Sequence, residues 1–143
     1  MASGSDAPLY LDSSAIVKLI AREAESRALA DVVAGAAGIV TSELTLAEVP
    51  RAVRRRTTGV SEADRTTLEQ EATRVLERAA FVPVDRELLL RAGAIGPAPL
   101  RTLDAIHVAA ALSLGPALGA FLTYDHRQAD AAAQNGLRVR APA

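Results

Sequence analysis

Four acidic residues stand in apolar surroundings along the chain. Asp12 closes the run Leu9-Tyr10-Leu11, and Ser13-Ser14 follow it. Glu48 lies within Leu46-Ala47-Glu48-Val49, Asp104 within Leu103-Asp104-Ala105-Ile106, and Asp125 closes Leu122-Thr123-Tyr124. Taken singly, Asp12 and Asp125 read as helix caps, Asp104 as a charge placed to suit a helix dipole, and Glu48 as a solvated helix residue. Taken together they suggest different chemistry. Carboxylates that converge near neutral pH repel and raise one another's pKa, and a divalent cation relieves that repulsion. The chain has no cysteine and two histidines, His107 and His126. Thiolate zinc sites, a cysteine nucleophile and a histidine-rich metal site are thereby excluded. An all-oxygen ligand set selects a hard ion, Mg²⁺ or Mn²⁺. Such an ion makes a nucleophile from water and steadies the charge that develops on a phosphodiester.

The elements that must carry these acids alternate between short apolar runs and helical patterns. Strands are expected at Leu9–Leu11, Ile39–Thr41, Phe81–Val84, Ala120–Tyr124 and Leu137–Val139. Helices are expected after Asp12, from Glu25 to about Ala34, from about Glu43 to Thr57, from Glu62 to about Ala79, from Asp85 through Ala92, after Thr102, and from His126 to Asn135. Ser61-Glu62-Ala63-Asp64 resembles a capping box. Pro50 lies inside the third helix and is expected to kink it after Glu48. Pro83 places its strand near a sheet edge. This alternation predicts an α/β fold, a central parallel twisted sheet of four to five short strands flanked by about seven helices. Asp12 and Asp125 then fall past the carboxyl ends of strands, on the rim where open α/β sheets place their ligands. The partner of Glu48 does not follow from spacing.

The length of 143 residues suits one domain, expected over residues 8–143, with the small polar segment 1–7 outside it. Half the residues are hydrophobic and 3% are aromatic, so the core must be built from Ala, Leu, Val and Ile. No apolar run approaches the roughly 18 residues of a membrane span. The start lacks the regions of a signal peptide, so a cytoplasmic location is expected. A net charge of −1 gives no general basic field. Arg51, Arg54 and Arg55 nonetheless share one face of the helix that carries Glu48. That face is either simply solvated or a contact for phosphates near Glu48. His107, one turn from Asp104, is read as a packing or hydrogen-bonding residue, with the rim within its reach.

In their order and spacing the motifs Tyr10-Leu11-Asp12-Ser13-Ser14-Ala15, Leu46-Ala47-Glu48-Val49, Leu103-Asp104-Ala105-Ile106-His107 and Leu122-Thr123-Tyr124-Asp125 resemble the PIN-domain ribonucleases. Among these they are most similar to the VapC toxins of bacterial toxin–antitoxin (VapBC) pairs. The resemblance runs from Leu9 to about Val139. It implies a catalytic and metal-binding quartet of Asp12, Glu48, Asp104 and Asp125, with Asp12 and Asp104 the most direct ligands and the other two acting partly through water. Ser14 and Thr123 match the hydroxyls that support the acids. Glu43 competes with Glu48 and fits the motif less well. The resemblance further implies Mg²⁺-dependent (or Mn²⁺-dependent) endonucleolytic cleavage of RNA, a homodimer, and a VapB-like antitoxin that covers the acidic pocket. A catalytically inactive PIN fold kept as an RNA-binding or interaction scaffold is the alternative. A phosphatase of the haloacid dehalogenase type wants a second Asp where Ser14 stands. A phospho-acceptor receiver domain wants a late lysine, and Lys18 is the chain's one lysine.

Overall fold

The structure, a computed structural model, describes residues 6–143. Five short strands form one sheet: β1 (Leu9–Leu11), β2 (Ile39–Ser42), β3 (Ala79–Val82), β4 (Ala120–Leu122) and β5 (Val139–Arg140). All pair in parallel, in the order β3-β2-β1-β4-β5. Parallel strands need crossover connections, and helices supply them. These are α1 (Ser13–Ile20), α2 (Ser26–Ala34), α3 (Thr45–Arg56), α4 (Glu62–Glu77), α5 (Arg86–Gly93), α6 (Thr102–Leu112) and α7 (His126–Gln134), with a short 3₁₀ turn at Gly115–Ala117. The α/β architecture expected from the sequence is therefore present.

Side chains alternate across the sheet, so each strand feeds two cores. Leu9, Leu11, Ala120 and Leu122 point to one face and pack with Ile16, Leu29, Val49, Val53 and Val75 from α1 to α4. Tyr10 and Phe121 point to the other face and meet Leu88, Ile106, Val108 and Ala132 from α5 to α7. Tyr10 and Phe121 are cross-strand partners and stack with ring centroids 5.2 Å apart. Burying each such side chain stabilises the fold by about 1.5–3 kcal/mol. On α6, Ala105, Ala109, Ala110 and Ala111 are all buried. Their lack of bulk lets that helix lie close against the sheet, as an aromatic-poor core requires.

Several boundaries differ from the sequence reading. β3 starts at Ala79, directly after α4, rather than at Phe81. It pairs through Ser42↔Val82 and leaves Pro83 beyond the ladder, and it is an edge strand as Pro83 suggested. β4 stops at Leu122, so Thr123 and Tyr124 belong to the turn before Asp125. β5 begins at Val139, and α3 begins at Thr45 and runs unbroken through Pro50. Residues 1–5, most of the segment expected to lie outside the domain, fall outside the described residues. The Ala7 carbonyl at its end accepts from the Ala37 amide at 3.3 Å.

Candidate active site

Asp12 follows β1 without a spacer and caps α1, its Oδ1 accepting from Ala15 N at 2.9 Å. The strand thus places the carboxylate at the carboxyl rim, and the helix start fixes its rotamer. Ser14 Oγ donates to the same oxygen at 2.7 Å, and the Thr123 hydroxyl donates to Oδ2. Asp12 is 1% exposed. Burial raises its pKa above the ordinary carboxylate range, and the Thr123 and Ser14 hydroxyls work against that rise.

Asp104 sits in the first turn of α6, where the helix dipole favours an anion. Its pKa is also raised, by partial burial first and then by the neighbouring charge of Asp125, with a smaller contribution from Asp12. Asp125 caps α7, its Oδ1 accepting from Gln128 N at 3.1 Å, and it is exposed. Hence Asp12, Asp104 and Asp125 occupy one corner of the rim, supplied by β1, α6 and the β4–α7 turn.

Glu48 approaches from α3 on the side of Ser13. Its Oε1 accepts from Ser13 Oγ at 3.1 Å and is 2.7 Å from His107 Nε2. The other ring nitrogen of His107 lies 2.7 Å from Tyr10 Oη. Tyr10 and His107 are fully buried, so a chain of three side chains runs from the core to Glu48. With the Tyr10 hydroxyl donating to Nδ1, His107 is the Nε2–H tautomer and donates to Glu48. His107 thus has the hydrogen-bonding role read from the sequence, and its partner is the acid whose partner spacing left open. Glu43 is exposed.

Gln128 was not singled out by sequence reasoning. It is the third residue of α7 and 2% exposed. An amide oxygen facing two carboxylates would meet only repulsion, so the amide nitrogen faces them. Oriented in that way, Gln128 Nε2 donates to Asp12 Oδ2 at 3.0 Å and to Asp104 Oδ1 at 3.1 Å. The sequence signal at this residue was the spacing Asp125-x-x-Gln128, which reads as a capping box. That spacing describes its backbone bond to Asp125 and says nothing of where its side chain goes. Ser13 was likewise not singled out as a partner for Glu48.

Beside the acids lies a groove of about 760 Å³, lined by Ser13, Ser14, Glu48, Arg51, Arg55 and Tyr124 among others. Arg51 and Arg55 also border a smaller depression that they share with Arg54 and Thr58. Among the described residues, Arg51, Arg54 and Arg55 form no ion pair. Lys18 is offset by Glu23 at 2.6 Å and Glu25 at 3.0 Å, and Arg56 by Glu23 at 2.6 Å. The uncompensated cations of the groove are therefore arginines on α3.

The donor set suits a hard divalent cation. All of its atoms are oxygens, and one polar atom, Gln128 Nε2, already stands about a hydrogen-bond length from both Asp12 and Asp104. Among the described residues no three Asp, Glu or His side chains stand together as a ready ligand set. What the structure offers directly is the Asp12–Asp104 pair, with Glu48 and Asp125 around it.

Residues 9–134 match the family model of the PIN domain. The chain belongs to the PIN domain family. Among curated relatives it is 44% identical to ribonuclease VapC46 of Mycobacterium tuberculosis, over 95% of this chain and 98% of that one. It is 33% identical to ribonuclease VapC47 of the same species, over 94% and 96% of the two chains. Among solved structures it is similar to Mycobacterium tuberculosis VapC20, described as a sarcin–ricin loop cleaving toxin, with a TM-score of 0.70 at 16% identity over 94% of this chain and 99% of that one. At that identity the likeness speaks for the PIN fold. No helix among the described residues is long and apolar enough to cross a membrane.

Proposed function

We propose that this PIN domain is a Mg²⁺-dependent (or Mn²⁺-dependent) endoribonuclease that acts as the toxin of a type II toxin–antitoxin pair. The observation that carries the reading is the meeting of Asp12 and Asp104 about a single amide nitrogen. Asp125 adjoins Asp104, and Glu48, held by Ser13 next to Asp12, lines an arginine-bordered groove. The VapC relatives, each named a ribonuclease and matched over nearly their full length, support the reaction class.

In this reading Asp12 and Asp104 would hold the cation, which when bound activates water and neutralises the charge that builds on a phosphodiester. Ser14, Thr123 and the Ala15 amide fix the Asp12 carboxylate. Glu48 has Oε1 engaged by Ser13 and His107, leaving Oε2 to orient a water or a ribose hydroxyl from the groove. Arg51 and Arg55 sit one and two helical turns beyond Glu48 on the same groove wall and would contact RNA phosphates, with Arg54 beside them. A VapB-like antitoxin, a homodimer and a cytoplasmic location belong to the same reading.

The test is cleavage of RNA by the purified protein freed of any partner. Mg²⁺ or Mn²⁺ should support cutting, and EDTA should stop it. Full activity in Asp12→Ala or Asp104→Ala would sink the metal assignment. RNA binding with no Mn²⁺ uptake would instead favour the non-catalytic scaffold.

A further inference from the structure

Gln128 touches three of the four acids. Its backbone amide donates to Asp125, and its side-chain amide donates to Asp12 and Asp104. The Asp12 carboxylate is saturated by this arrangement: Oδ1 accepts from Ser14 and Ala15, and Oδ2 from Thr123 and Gln128. A cation shared by Asp12 and Asp104 needs lone pairs that these donors now use. Thr123 and Ser14 donate to no carboxylate but that of Asp12 and can stay while one oxygen is shared. Gln128 lies between the two carboxylates, where that cation would have to stand.

We propose that Gln128 is a positioning residue that spaces Asp12 and Asp104 and competes with the divalent cation for them. The inference rests on the metal-centred function above. The residue type fits this role. An amide offers two N–H groups to two anions and carries no charge, so it withdraws without leaving a buried charge behind. A lysine or arginine in its place would be a permanent counter-ion and exclude the cation, and a glutamate would add a third negative charge. Both hydrogen bonds are assisted by carboxylate charge, so giving them up opposes cation binding. The apparent metal affinity is thereby set below what the bare acid pair would have.

The full-length protein, stripped with EDTA, can be titrated with Mn²⁺ while free Mn²⁺ is followed by electron paramagnetic resonance. Gln128→Leu keeps the side-chain size and removes the donor. It should bind Mn²⁺ about tenfold more tightly than the wild type, which is about 1.4 kcal/mol. Equal or weaker binding by the variant overturns the competition, weaker binding meaning that Gln128 serves as a ligand through its carbonyl. A second readout needs no variant that folds. In ¹⁵N-labelled wild type the Gln128 carboxamide signals should shift on saturation with Mg²⁺ and become exposed to exchange with water. Signals unchanged at saturation overturn the proposal. A wild-type protein that takes up no Mn²⁺ overturns the metal reading and this inference with it. That result appears before any variant is compared, so the two failures are told apart.

Discussion

Asp12 holds a nearly unexposed carboxylate among four hydrogen-bond donors, and Asp104 shares one of those donors. Burial raises both pKa values, and for Asp104 the charge of Asp125 adds to the rise. A carboxylate raised in this way favours the folded state below its unfolded pKa, and that contribution is lost as pH climbs through the folded value. The neutral variant Asp104→Asn escapes the loss. In EDTA-treated protein its Tm relative to wild type should therefore increase between about pH 4 and about pH 8. A gap that stays constant across that range would show that Asp104 has no such shift. His107 makes a second test at this scale. His107→Phe keeps an aromatic ring but removes the donor to Glu48. Losing an orienting partner of a functional carboxylate typically costs about 10- to 100-fold in activity. RNA cleavage should fall within that range, whereas Tyr10→Phe, which leaves the Nε2 contact intact, should fall less. Equal rates in His107→Phe and wild type would remove His107 from the positioning of Glu48.

Asp12, Asp104 and Asp125 are delivered by element ends with local sequence marks, which is why these three of the four could be placed from sequence. A strand that stops at Asp12, a helix that starts near Asp104 and a cap at Asp125 leave local marks: an apolar run, a hydroxyl or acid, then a helical period. Glu48 lies in the first turn of α3, but only tertiary packing brings α3 to His107 of α6, so its partner was not legible. Gln128 was hidden because its backbone and side chain serve different neighbours. The strand ends at β3, β4 and β5 slipped by two residues because short parallel strands are bounded by their partners' registers rather than by their own composition. Two predictions belong to elements. Ser61 caps α4 through Asp64 N at 3.1 Å, at a helix end that lines neither groove described above. Ser61→Ala should lower stability by about 1 kcal/mol in chemical denaturation and leave RNA cleavage unchanged. Pro50 is exposed, and α3 continues through it without its amide donor. Restoring its missing amide donor with Pro50→Ala should raise stability by about 1–3 kcal/mol. A fall in denaturation midpoint would mean that Pro50 sets a bend the fold requires.

Over the whole molecule the charges nearly cancel, at −1, yet the groove is bordered by arginines that no acid among the described residues offsets. The formal sum concealed this, because Lys18 and Arg56 spend their charge on Glu23 and Glu25 while Arg51, Arg54 and Arg55 do not. Single-stranded RNA binding should accordingly depend on salt, and Arg51→Ala or Arg55→Ala should each reduce the log–log slope by about 0.7. An unchanged slope would return that helix face to plain solvation. The cores on the two sheet faces contain no tryptophan, and the chain has two tyrosines. Tyr10 lies against His107, which holds Glu48, and Tyr124 lines the groove beneath Lys18, 4.7 Å from ring centre to amine. Both phenols therefore sit beside the candidate site. Its near-ultraviolet emission is a built-in optical probe of that site, so occupancy of the acids and of the groove can be followed in the unlabelled protein, with Tyr10→Phe and Tyr124→Phe separating the two signals.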